Sequence, residues 1–207
     1  MLAFSIFVSG SFTFGSLIAN EISTELLTFY RFLLATIILG VILYFNKSIY
    51  SHHLKNIWRY FVLGAIYSIY FVFMFVALKY TTTVSTAAIF TLLPLFAALL
   101  ERLFLKKSSP VLIWAALILS GMGALWIIFE GSINGLFQFR FEKGEAIFLV
   151  GTICYASYAI IQPKLFKGEN IYVTTLGVLA AGSIILAISL ILQQSSFIVH
   201  KITFEVF

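Results

Sequence analysis

The chain has 207 residues, 61% of them hydrophobic and only 10% charged, with a formal net charge of +5 and a mean hydropathy of +1.06. Soluble domains carry about a quarter charged residues, so a water-soluble globular fold is excluded and the bilayer is the solvent. The cations sit one to three at a time between apolar runs, which excludes a basic nucleic-acid surface and fits topology signals instead.

A helix needs about 20 apolar residues to cross the hydrocarbon core. The first span is expected near residues 2–19; its start, "MLAFSIFVSG", has no basic n-region and no A-x-A site, so it reads as a retained span rather than a removable signal. Ser5, Ser9, Thr13, Ser16 and Asn20 recur along it at helical spacing and form one polar stripe. The second span, 25–45, contains "TFYRFLLATIILG" and with it Arg31, on a stripe with Thr24, Thr28 and Ala35. An arginine at the centre of a spanning helix costs roughly 2.5–3.5 kcal/mol on insertion scales. Either Arg31 snorkels to the interface or the bundle keeps a polar interior for it. No carboxylate is expected at mid-membrane depth, so its partners are hydroxyls, backbone carbonyls, water or an anionic group on a ligand.

The third span, 57–79, offers Tyr67 and Tyr70. The fourth, 81–105, carries Thr83, Ala87, Thr91, Pro94, Ala98 and Glu101 on one stripe, and Pro94 predicts a bend. The fifth, 110–129, places Pro110 in its first turn. After a loop comes the sixth span, 145–163, with Gly151, Tyr155, Tyr158 and Gln162 aligned and Glu145 at its N-terminal end. The seventh, 171–193, precedes "QQSSFIVHKITFEVF", too short and too polar to span again. Small and hydroxyl residues on such stripes either let membrane helices pack closely or converge on a central polar cavity; Arg31 favours the cavity.

The loops after spans two, four and six hold Lys47, Lys55, Arg59, Arg102, Lys106, Lys107, Lys164 and Lys167, against Lys79, Arg140, Lys143 and Lys201 on the other side. That bias places the N-terminus and the even-numbered span exits in the cytoplasm. Cys154 is the single cysteine, and His52, His53 and His200 lack helical ligand spacing, so no metal and no cofactor is expected.

An internal repeat is visible when "IFVSGSFTFGS" (6–16) is set over "IFLVGTICYAS" (147–157): Ile, Phe, Gly and the final Ser coincide, and Ser11 meets Thr152. Span two then lies over span seven through "IIL" at 37–39 and 184–186, with Thr28 over Thr175 and Val178 where Arg31 sits. Five spans separate the copies, so the second is inverted. Inverted repeats recur in secondary transporters, with substrate sites at the repeat interface.

The first half resembles an EamA domain of the drug/metabolite transporter superfamily. The residues that carry the resemblance are "SGSFTFGSLIANEISTELLTFYRFLLATIILG" (9–40), "ALKYTTTVSTAAIFTLLPLFAALLERLFL" (77–105) and "GMGALWII" (121–128), while "KGEAIFLVGTICYASYAII" (143–161) is similar to the opening of a second copy. Gly10, Arg31, Ala77 to Thr81, Pro94, Gly121 and Gly123 match the family pattern; Ser9 stands where a tryptophan is usual, and Lys107 where glutamate is common. The resemblance implies an all-α polytopic bundle of about seven spans. It has a first repeat at 1–129, an external loop at 130–144 and a partial second repeat at 145–207, against ten spans in family members of this type.

It also implies a secondary transporter of the cell (inner or plasma) membrane that exports small metabolites such as amino acids or drugs by alternating access. A single buried cation leans towards substrates with a carboxylate or other anionic group. The alternative is a truncated chain that acts only by assembling with other segments or with a second copy of itself. A seven-span receptor is disfavoured by the repeat and the cytoplasmic N-terminus. An intramembrane enzyme is disfavoured by the absence of any aspartate, Ser–Lys or Ser–His pairing, or zinc motif. Partners are the lipid bilayer and a small-molecule substrate. The pathway candidates are Arg31, Thr28, Ser9, Thr13, Tyr67, Tyr70, Thr91, Pro94, Tyr155, Tyr158 and Gln162.

Overall fold

A computed structural model describes residues 10–13, 15, 18, 22–45, 56–106, 110–128, 131, 143–166 and 170–192. Helices account for nearly all of them. They are α1 (Thr24–Phe45), α2 (Trp58–Ala77), α3 (Thr83–Phe90), α4 (Leu93–Leu105), α5 (Val111–Ile128), α6 (Lys143–Leu165) and α7 (Ile171–Leu192). Residues 10–13 are helical as well, on the first predicted span, most of which lies outside the described residues together with the loop 132–142 and the tail from 193.

Among the described residues, five helical segments are long and apolar enough to cross a membrane, counting α3 and α4 as one 23-residue span. They coincide with predicted spans two, three, four, six and seven. α5 is apolar throughout but shorter, and it begins just after Pro110, whose carbonyl accepts from the Ile113 and Trp114 amides. The fold is an all-α polytopic membrane bundle.

Lipid as solvent explains which faces point out. α1 exposes Leu34, Ile38 and Ile42 while burying Thr24, Leu26, Thr28 and Phe32. Several hydroxyls inside helices are satisfied locally, as an apolar medium favours. Thr28 donates to Thr24 O at 2.7 Å, Thr152 to Phe148 O at 2.9 Å and Ser183 to Leu179 O at 2.8 Å.

The fourth span is broken where Pro94 predicts it. α3 starts at the N-cap Thr82, whose side chain accepts from the Ser85 amide at 3.1 Å. The chain then turns at Thr91 and Leu92, and Pro94 occupies the first turn of α4. Proline has no N–H to offer the carbonyl four residues back, so a rung of the ladder is missing where the two helices meet.

The main packing is α2 against α6, followed by α1 against α7 and α2 against α7. The α2–α7 crossing is close enough to need glycine. A Cβ on Gly64 would lie 2.8 Å from the Gly182 backbone nitrogen and 3.0 Å from the Val178 carbonyl oxygen. A Cβ on Gly182 would in turn meet the Phe32 ring at 2.8 Å and Ser68 Oγ at 3.0 Å. Small residues at membrane helix contacts allow this backbone approach.

Candidate functional site

Three helices, α1, α2 and α7, surround a cavity of about 410 Å³. α1 contributes Arg31, Phe32 and Ala35; α2 contributes Tyr67 and Phe71; α7 contributes Leu179. Leu34 and Ile38, both largely exposed, form its rim, so it opens on the outer side of α1. Three- and four-residue spacings on α1 and a four-residue spacing on α2 put these groups on facing surfaces. Arg31 and Tyr67 are the polar side chains on the wall, and among the described residues no carboxylate borders it.

Arg31 is held on three sides. Its Nη2 donates to Ser11 Oγ at 2.9 Å, and its guanidinium carbon lies 5.1 Å from the ring centroids of both Phe71 and Phe75. Ring faces attract a cation through their quadrupole, without supplying the lone-pair acceptors that a guanidinium's N–H donors pair with.

Behind the guanidinium stands an aromatic nest. Phe32 stacks on Tyr67 with centroids 5.4 Å apart, and Phe71 meets Phe32 edge-on at 5.4 Å and Tyr67 edge-on at 4.9 Å. Tyr67 also stacks on Tyr158 at 4.9 Å, and Tyr70 on Tyr155 at 4.6 Å, so the four tyrosines interleave α2 with α6. Tyr155 and Tyr158 are themselves stacked nearly parallel, at 8° and 5.7 Å.

The structure therefore gathers Arg31, Tyr67, Tyr70, Tyr155 and Tyr158 from the predicted candidates. It separates others. Thr28 is buried and spends its hydroxyl on its own helix. Thr13 is exposed, and the hydroxyl that meets Arg31 from the first span is Ser11, two positions earlier and off the predicted stripe. Thr91 and Pro94 are exposed and do not border the cavity; Thr91 Oγ1 donates to Ala88 O at 2.7 Å. Gln162 lies with Pro163, Phe166 and Thr174 along a separate cavity of about 290 Å³. Ser9 lies outside the described residues.

The sequence reading missed Ser11 as a partner, and with it Phe32, Phe71 and Phe75. Ser11 had one usable signal, its alignment with Thr152 in the repeat. The phenylalanines had only their helical spacing, which many of the 23 in the chain share.

At the far end of the tyrosine stack, Arg59 near the start of α2 donates to the Leu165 carbonyl at the end of α6. Its guanidinium lies 4.7 Å from the Phe166 ring centroid, and that ring packs on Tyr60 at 4.9 Å. Among the described residues no group of His, Cys, Asp or Glu could hold a metal ion.

Residues 1–129 match the EamA-like transporter family. The chain is 30% identical over 190 residues to the uncharacterized transporter YyaM of Bacillus subtilis (strain 168), a match covering 91% of this chain and 62% of that protein. It is 25% identical over 189 residues to an uncharacterized transporter of Archaeoglobus fulgidus, covering 90% of this chain and 64% of the relative. The chain thus spans somewhat under two thirds of the length of these relatives. With an all-α membrane bundle beneath it, the match over residues 1–129 identifies this chain as a member of the EamA-like transporter family.

Proposed function

We propose that this integral membrane protein is a secondary transporter of small metabolites, working by alternating access, with the Arg31 cavity on the substrate path. The reading rests on one observation above the rest: a permanent cation inside a membrane helix borders a cavity and, among the described residues, donates a short hydrogen bond to Ser11 of the first span. Intramembrane charges that face a bundle interior mark substrate or ion pathways. The cavity size falls within the roughly 300–1,000 Å³ usual for small-molecule sites. Export across the cell membrane, with the N-terminus and the Lys55 loop cytoplasmic, follows from the family resemblance and the cation bias.

The division into a first repeat at 1–129 and an inverted partial repeat at 145–207 belongs to the same proposal. Supporting it, α1 and α7, the helices that the repeat pairs, pack extensively on each other. A second reading, in which the chain acts only with further helices or a second copy, is favoured by the greater length of its relatives and by the open rim at Leu34 and Ile38.

The test is reconstitution into proteoliposomes and uptake of a labelled metabolite panel, comparing the parent chain with Arg31→Ala. A loss of tenfold or more in the variant, with the protein still folded, supports the pathway. Undiminished transport removes Arg31 from it. Transport that appears only at high protein-to-lipid ratio supports the assembly reading.

A further inference from the structure

We infer that the Arg31 cavity selects an aromatic monocarboxylate, its carboxylate against the guanidinium and its ring against Phe32, Tyr67 and Phe71. The inference deepens the proposal that this cavity lies on the substrate path.

Charge comes first. Arg31 has five N–H donors, of which Nη2 reaches Ser11. Phe71 and Phe75 lie with their ring centroids 5.1 Å from the guanidinium carbon, contacts that are electrostatic rather than hydrogen bonds to an oxygen acceptor. A planar acceptor is the natural complement of the remaining donor edge, because guanidinium and carboxylate match as a two-point fork. Within the described residues the cavity wall carries no acid, so the counter-charge is left for the ligand to supply.

The number of charges follows from the same wall. Among the described residues that border the cavity there is one guanidinium and no second cation, which suits a monoanion better than a phosphate dianion. A zwitterion is disfavoured as well, since its ammonium would enter a cavity that already holds a cation and offers no carboxylate.

Ring recognition rests on the nest. Phe32 and Tyr67 stack with an interplanar angle of 25°, and Phe71 stands at 86° to each. All three border the cavity. They meet one another both stacked and edge-on, the two arrangements aromatic partners prefer, and a substrate ring would extend that pattern from the half-buried Tyr67 and Phe71. A short aliphatic acid would satisfy the guanidinium and leave this surface unused. About 410 Å³ accommodates a one- or two-ring acid.

The experiment measures binding of radiolabelled phenylacetate to the full chain in phosphatidylcholine nanodiscs, with counts on empty nanodiscs subtracted. Competitors are acetate, phenylalanine, phenethylamine and phenyl phosphate. Phenylacetate is expected to bind at least tenfold more tightly than each of them. Arg31→Gln is expected to weaken it tenfold or more, and Phe71→Leu severalfold, while Tyr67→Phe keeps the ring and most of the affinity. The competitor series needs no substitution, so it decides the matter even where a variant fails to fold. Acetate matching phenylacetate, tighter binding of phenylalanine, phenethylamine or phenyl phosphate, or no saturable phenylacetate binding overturns the inference. In parallel proteoliposomes, transport of another metabolite without phenylacetate binding overturns this inference and leaves the transport reading intact. Selective phenylacetate binding without transport of any compound does the reverse.

Discussion

Arg31 and Ser11 join two helices across the bundle, Nη2 to Oγ at 2.9 Å, through the shortest route by which a half-buried guanidinium reaches a hydroxyl among the described residues. Side-chain hydrogen bonds between membrane helices average about 0.6 kcal/mol by double-mutant cycles and reach about 1.7. A charged donor places this pair toward the upper part of that range. The cycle Ser11→Ala with Arg31→Gln, read by reversible unfolding in mixed micelles, should give a coupling of about 1 kcal/mol. A coupling near zero would mean that the bond is an incidental contact.

The α2–α7 crossing makes a second prediction. Gly64→Ala sets its new carbon against backbone atoms of Gly182 and Val178, which cannot swing aside. Overpacking of this kind costs typically about 1–3 kcal/mol, seen as a lower melting temperature in detergent. Gly182→Ala meets the side chains of Phe32 and Ser68 instead and should cost less, while displacing the Phe32 ring from the nest. Gly123→Ala has nothing within 4 Å and serves as the control. By helix propensity alone it should stabilise, by up to about 1 kcal/mol.

Arg59 ties the start of α2 to the end of α6 by a hydrogen bond and a ring contact together. Arg59→Ala should speed amide exchange in the last turn of α6, measured by hydrogen–deuterium exchange. Arg59→Lys should not restore protection, because an ammonium lacks the planar fork that can donate to a carbonyl while lying over a ring. Full protection in the lysine variant would reduce the role of Arg59 to its charge.

Orientation is open to a direct measurement. In a Cys154→Ser background, Lys55→Cys should react with a membrane-impermeant maleimide only from the cytoplasmic side, and Glu130→Cys only from outside. The opposite pattern would invert the topology drawn from the cation bias.

Much of this architecture can be read from the residues. The extents of the spans follow from apolar run length, and the break in span four falls at a proline, whose missing N–H removes a rung of the helical ladder. Tyr67 and Tyr70 on one helix, and Tyr155 and Tyr158 on another, could be picked out because each pair repeats at three-residue spacing, but that spacing does not say that the two pairs stack on each other. The phase of the first span was not legible. Its stripe runs through Ser9 and Thr13, whereas the cation is met by Ser11, since periodicity defines a face without saying which way it turns. Nor were the Gly64–Gly182 contact and the rings of Phe32, Phe71 and Phe75 legible. Close approach and ring orientation are properties of two helices together, and no single segment encodes them.

The crossing at Gly64 and Gly182 has a mechanical consequence. Two rods that meet on bare backbone have no side chain to climb over when they swivel about the meeting point. Sliding either rod along its axis would instead bring a neighbouring residue's Cβ into that space. The crossing is thus shaped as a fulcrum: because Phe32 rests against Gly182, a swivel of the two helices there would carry the floor of the cavity with it.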